Sequence, residues 1–250
     1  MSQLAVEEIW KSFGGFHALG GVTLSVASGE RRAIIGVNGA GKSTFFSIIG
    51  GQLRPTSGRV LLDGEQVTGL PPHKMWARGV TRTFQRNAIF PGLDVRQNVR
   101  LAILARRHMG SRILAGAGRQ SHIDNEADAI LGRLELCGRA NVAACDLAYG
   151  EQRQLEIAIA LAGEPRILLL DEPTAGMSPA ETQAMVAMLA QLPRTLTLLI
   201  VEHDMDVVFA IADSVSVLHQ GRVLVEGSPS EVQADPRVAE VYFGQVEAPQ

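Results

Sequence analysis

The stretch Gly36-Val37-Asn38-Gly39-Ala40-Gly41-Lys42-Ser43 reads G-x-x-x-x-G-K-S, the pattern of a loop that wraps phosphate groups. Arg32-Ala33-Ile34-Ile35 precedes it as a short apolar run suited to a buried strand. Thr44-Phe45-Phe46-Ser47-Ile48-Ile49 follows it as a run suited to a helix packed on a sheet. The loop therefore stands between strand and helix, the context in which the motif has physical meaning. Gly36, Gly39 and Gly41 let the backbone curl with its N–H groups pointing inward. The new helix adds the partial positive charge of its first turn. A cradle built from Gly36, Asn38, Gly39, Ala40, Gly41 and Thr44 is expected to hold nucleotide phosphates. Lys42 would reach the β- and γ-phosphates, and the Ser43 hydroxyl would bind Mg²⁺. Only three lysines (Lys11, Lys42 and Lys74) occur among 23 lysines and arginines, so a lysine in this loop meets a demand of the site rather than a general bias of composition.

A second chemical feature lies far downstream. Leu168-Leu169-Leu170-Asp171-Glu172 places two acids at the end of a continuous apolar run, as in a strand buried on both faces. In phosphate-loop nucleoside triphosphatases an Asp at such a strand end holds Mg²⁺, the role expected of Asp171. Glu172 is then placed to orient and deprotonate an attacking water.

The remaining sequence bounds the architecture. At 250 residues with 46% apolar residues, the chain can bury a large core. A net charge of −3 gives no global basic field for nucleic acid. Cys137 and Cys145 lack metal-ligand spacing and read as reduced thiols. The N-terminus carries Glu7 and Glu8 and no apolar signal core, so no secretory leader is expected. No apolar run approaches membrane-spanning length; work at a membrane would need other chains to cross it.

Strands are expected at 4–10, 22–26, 59–62 and 80–84, with a short helix opened by Pro71-Pro72 and ended by Gly79. Strand signals stop between 87 and 163, where 95–108, 125–136 and 151–161 carry helical spacing. The sheet returns at 167–170 and 197–201. Pro179 opens one helix and Asp204 caps another, a hairpin turns at Gln220-Gly221, and Ser228 or Ser230 starts a last helix. The fold class is thus α/β: a phosphate-loop core with a mostly parallel sheet, an N-terminal antiparallel β subdomain and an inserted helical subdomain. The expected divisions are 1–86, 87–163 and 164–250.

Leu147-Ala148-Tyr149-Gly150-Glu151-Gln152, about twenty residues before Asp171, gives the downstream half a family. It resembles the L-S-G-G-Q signature of the ATP-binding cassette (ABC) ATPases. The resemblance spans nearly the whole chain, with its elements in the family's order. It implies that Phe13 stacks on adenine. It also implies that Gln85 contacts Mg²⁺ and water, and that His203 senses the γ-phosphate. Ala148, Gly150 and Glu151 would reach a nucleotide across a dimer, and Ala175-Gly176-Met177-Ser178 would form the loop that crosses to the partner. Two positions depart from the pattern: Ala148 replaces the signature serine, and Ser178 replaces an aspartate.

LAYGEQRQLEIA, VTRTFQ, LPPHKMWARG and VEHDMDVV look like the ATPase subunits of branched-chain amino acid importers and of related amide or urea importers. The tail Val241-Tyr242-Phe243-Gly244 fits that branch and also the ATPase of lipopolysaccharide export. The resemblance implies ATP and Mg²⁺ as ligands and a second ATPase subunit, in a heterodimer by preference. It further implies two transmembrane permeases, a periplasmic or extracellular binding protein acting indirectly, and no nucleic acid. The chain would sit peripherally on the cytoplasmic side of the inner (plasma) membrane. A nucleic-acid-acting cassette ATPase and a small-molecule kinase remain as rival readings. The first lacks its usual coiled-coil insertion or second cassette, and the second gives the signature and His203 no role.

Overall fold

Ten strands and nine helices occur in the computed structural model among the described residues, which are 2–83, 89–107 and 117–243. The N-terminal strands β1 (Ser2–Phe13) and β2 (Phe16–Ala27) form a long hairpin that closes on Gly14 and Gly15, with Gly14 at φ 57°. β4 (Ser57–Leu62) and β5 (Glu65–Gln66) extend it to a four-stranded antiparallel sheet in the order β2-β1-β4-β5. β2 runs six residues further toward the hairpin turn than its apolar centre indicates.

The second sheet carries the chemistry. It comprises β3 (Arg31–Ile35), β6 (Val80–Arg82), β7 (Ile167–Asp171), β8 (Thr197–Val201), β9 (Ser214–His219) and β10 (Arg222–Gly227). Their order is β10-β9-β3-β8-β7-β6, with every pair parallel except the β9–β10 hairpin. The carboxyl ends of β3, β6, β7 and β8 therefore lie along one edge, where open α/β sheets gather ligands.

Alternation along the central strands explains their unbroken apolar sequence. Leu168, Leu170, Leu198 and Ile200 face one core, while Ile167, Leu169, Leu199 and Val201 face another. The first core is shared with the helices α3 (Val95–Arg106), α4 (Ala117–Arg133), α5 (Tyr149–Ala162) and α6 (Pro179–Ala190). The second is shared with the antiparallel sheet and with Phe45 and Phe46 of α1 (Lys42–Ile49). Burying both faces of five-residue strands leaves no position for a polar side chain until the strand ends, which is where the acids stand.

α3 begins with a complete capping box, in which Asp94 and Gln97 each bond the other's backbone N–H. α4 starts upstream of the expected helix because Ala117-Gly118-Arg119-Gln120 carries no apolar spacing to announce it. α2 (Pro72–Ala77) starts with proline in its first turn, and Gly79 follows its end at φ 83°. Asp204 caps α7 (Met205–Ile211), accepting from the backbone N–H groups of Asp206 and Val207. The expected single C-terminal helix is two. Ser228 caps α8 (Pro229–Ala234), Asp235 turns extended, and α9 (Pro236–Phe243) restarts at Pro236. A proline there cannot continue the ladder, and it biases the preceding residue away from helix. Cys137 and Cys145 are free and exposed. Among the described residues no helix is long and apolar enough to cross a membrane.

Candidate active site

The phosphate loop joins β3 to α1, and its glycines sit where side chains cannot. Gly36 has φ 151°, and a Cβ there would lie 2.2 Å from the Leu218 carbonyl oxygen. Gly41 precedes α1 at φ 103°, with the Ala18 carbonyl oxygen 2.7 Å from its would-be Cβ. The β9–β10 turn braces the loop, since Gly221 N–H donates to Ala40 O (3.0 Å) while Gly221 O accepts from Gly20 N–H (2.8 Å). Gly36→Ala is accordingly expected to cost about 3 kcal/mol of stability through backbone strain and overlap. Urea unfolding of the variant measures this.

Lys42 is buried in the folded loop, with Nζ donating to Gly36 O (2.5 Å) and Val37 O (3.2 Å). Burial pushes its pKa down, while the carboxylates of Glu172 and Asp171 pull it back up. Those two acids belong to the end of β7, two strands away in the sheet, so the ammonium feels charge from beyond its own strand. Asn38, Gly39 and Ser43 are exposed along the loop, while Ala40 is buried beneath it.

At the end of β7, Asp171 is buried and Oδ2 accepts from Arg82 Nη2 at 2.6 Å. Oδ1 is also buried and accepts no hydrogen bond from the described residues. A buried, unpaired carboxylate oxygen is costly, and a cation ligand satisfies it. Among the described residues no three His, Cys, Asp or Glu converge as a metal cage. This donor set suits Mg²⁺, which uses one or two protein oxygens and completes its shell with water and substrate phosphate. Glu172 adopts φ 48°, unusual for a side-chain-bearing residue, and its N–H donates to Val201 O at 2.9 Å. His203, just past β8, is exposed. Gln85, expected beyond β6, lies outside the described residues.

Phe13 and Phe16 pair at the β1–β2 turn and are exposed by 49% and 63%. Lys11 Nζ lies 5.0 Å from the centre of the Phe13 ring. β2 touches the phosphate loop at Ala18 and Leu19, so the tip with its two exposed rings flanks it. An exposed aromatic pair beside a phosphate cradle can stack on a base.

This arrangement has close counterparts. The family described as "ABC transporter" matches residues 19–175, more than half of the chain. The chain belongs to the ABC transporter family. A further family, described as "Branched-chain amino acid ATP-binding cassette transporter", matches residues 222–248. The chain is 40% identical to the Pseudomonas aeruginosa high-affinity branched-chain amino acid transport ATP-binding protein BraF, covering 97% of this chain and 98% of that one. It is 36% identical to Escherichia coli LivG, a protein of the same description, covering 98% and 100%. Among solved structures, the ADP conformation of MJ1267, an ATP-binding cassette of an ABC transporter, superposes with a TM-score of 0.86. It shares 30% identity and covers 98% and 100% of the two chains. The protein is an ATP-binding subunit and an ATPase of this family.

In this ABC ATPase the signature stretch opens α5. Ala148 is exposed and offers no hydroxyl; its backbone N–H is capped by Glu151 Oε2 at 2.9 Å. Arg139 Nε holds the other oxygen of Glu151 at 2.7 Å. Gly150 is buried, and a Cβ there would meet Glu181 Oε1 of α6 at 3.0 Å. Tyr149 donates its hydroxyl proton to Ala175 O at 3.0 Å. The signature loop and the 175–178 loop therefore touch within one chain.

Three of these contacts involve residues that the sequence reading did not single out: Arg82, Tyr149 and Glu181. Arg82 stands inside the quoted VTRTFQ, and its guanidinium also reaches Ser47 Oγ (3.0 Å) and Gln52 Oε1 (3.1 Å). Glu181 closes a capping box with Ser178, accepting from the Ser178 backbone N–H at 2.8 Å, and that S-x-x-E spacing was present in the sequence to be read.

Proposed function

We propose that this chain is the ATPase subunit of an importer for branched-chain amino acids, working at the cytoplasmic face of a membrane beneath two permease chains. The match over 222–248 carries the choice of solute, because the phosphate loop and acids are common to cassette ATPases of every cargo. The descriptions of BraF and LivG point the same way. The net charge of −3 speaks against a nucleic-acid partner.

The proposed catalytic cycle uses two ATPase chains facing each other, with a different partner chain favoured. One chain supplies Phe13 to the base, Gly36, Asn38, Gly39, Ala40, Gly41, Lys42 and Thr44 to the phosphates, and Ser43, Gln85 and Asp171 as Mg²⁺ ligands. Held by those side chains, Mg²⁺ would supply positive charge to offset the charge that develops on the phosphates. Glu172 takes a proton from the attacking water, and His203 meets the γ-phosphate. The other chain's stretch equivalent to Ala148, Gly150 and Glu151 closes the site. Residues 87–163 act as the moving helical unit, and closure on ATP is a two-state element biased by its ligand.

Gly150→Asp tests the signature half of this reading. The new carboxylate stands beside that of Glu181, whose Oε1 lies 3.0 Å from the would-be Cβ and has to give way, and it places negative charge where γ-phosphate must approach. ATP turnover of the assembled pair is expected to fall about a hundredfold or more, while nucleotide binding to this chain's own phosphate loop stays near parental. Ala148→Ser should be tolerated and should tighten closure by adding one donor.

The function itself is tested in proteoliposomes holding this chain, its partner ATPase, the permeases and the binding protein. ATP-dependent accumulation of leucine, isoleucine and valine is expected. Uptake confined to urea or small amides would move the chain to a neighbouring branch, and ATP-driven lipid export would overturn import.

A further inference from the structure

Glu202 is fully buried, with 0% of its surface exposed. It follows Val201, the last residue of β8, where four apolar residues have just been packed on both faces of the sheet. Removing an ionised carboxylate from water is costly unless its oxygens are bonded. Here both are. Oε1 accepts from the Thr174 backbone N–H (3.1 Å) and the Thr174 hydroxyl (2.7 Å). Oε2 accepts from the His203 backbone N–H (3.2 Å) and lies 3.8 Å from His203 Nδ1. Among the described residues, His203 is the one group within ion-pair distance of this carboxylate.

These contacts continue the sheet past its end. β7 and β8 pair through Asp171 and Val201, and Glu172 N–H adds one more bond to Val201 O. The ladder ends there, and the Glu202 side chain takes the place of a strand by accepting from Thr174, two residues past Glu172. One carboxylate thus spans the loop that follows Glu172 and the loop that carries His203.

We propose that Glu202 is a positioning residue for His203. Thr174 anchors Oε1, which fixes where Oε2 stands behind the imidazole. Oε2 stands 3.8 Å from Nδ1, just beyond hydrogen-bond length, so a small rotation of the exposed ring brings Nδ1–H onto it and presents Nε2 away from the core. A His without such a partner rotates freely and takes either tautomer. The inference rests on the reading of His203 as the group that meets the γ-phosphate.

Glu202→Gln keeps the volume and removes the charge, and its amide N–H₂ faces backbone donors on one side. In the assembled transporter its kcat for ATP is expected to fall about tenfold with KM within about threefold of parental. Thr174→Val, which removes one anchoring bond and is the milder test of folding, should lower kcat about threefold. In a His203→Ala background the Glu202→Gln change should cost less than about twofold, because the group it positions is gone. Parental kcat in folded Glu202→Gln overturns the proposal. So does an equal fold-loss in the parent and in the His203→Ala background. Parental turnover in His203→Ala alone would instead remove His203 from the site, a result separate from any measured on Glu202.

Discussion

Glu172→Gln is expected to bind ATP with near-parental affinity and to hydrolyse it about a thousandfold more slowly. The amide keeps the shape of the carboxyl but cannot accept a proton from water. The backbone at this position is tied independently of the side chain by the Glu172 N–H bond to Val201 O at 2.9 Å. The substitution therefore changes chemistry without moving the loop. One secondary effect is built in. Glu172 is the first of the two acids that raise the Lys42 pKa against burial, so its neutralisation moves the lysine further down before nucleotide arrives. Single-turnover hydrolysis alongside fluorescent-nucleotide binding separates the two quantities. A variant that turns over ATP like the parent would take the proton acceptor away from Glu172 and leave His203 as the candidate.

Lys42→Ala acts on binding instead. The ammonium donates to Gly36 O and Val37 O, so the substitution removes both a phosphate partner and an internal brace of the loop. Losing a charge-assisted contact to enclosed phosphates costs about 2–4 kcal/mol, which raises the Kd for ATP about thirtyfold to several hundredfold. Equilibrium titration with a fluorescent ATP analogue measures it. The loop's glycine strain and the Gly221 brace remain, so the fold should survive. An unchanged Kd in the folded variant would mean that the loop does not hold phosphate.

Both predictions come from positions that the sequence exposes directly, and the reason is physical. A phosphate cradle needs glycines at positive φ followed by a lysine at a helix start, and few other demands produce that spacing. Buried strands such as β7 and β8 show as uninterrupted apolar runs because both faces are packed, so the first polar residues mark the strand end. Asp171 and Glu172 were legible for that reason. Residues whose role depends on long-range contact were not. Arg82 looks like any arginine until β6 is placed beside β7. Glu202 reads as an ordinary acid before a histidine until burial shows it enclosed.

Elements without an apolar period were equally hard to read. The first turn of α4 and the outer half of β2, with its Gly20-Gly21, carry no pattern that distinguishes them from loop. The break between α8 and α9 falls at Asp235-Pro236, a local signal that the expectation of one last helix left out. The signature stretch lies between these cases. Its sequence gave the family, but the contacts of Tyr149 with Ala175 and of Gly150 with Glu181 arise only when α5 and α6 are packed.

ATP hydrolysis is proposed to take place at a site completed by a second ATPase chain. Sedimentation equilibrium of Glu172→Gln with saturating MgATP tests it most directly, with the chain alone and mixed with its partner ATPase. The mixture is expected to show the mass of two chains with ATP and the mass of one with ADP, since the ADP form lacks the γ-phosphate that the signature loop must meet. A mass of one chain at saturating ATP in both samples would contradict it.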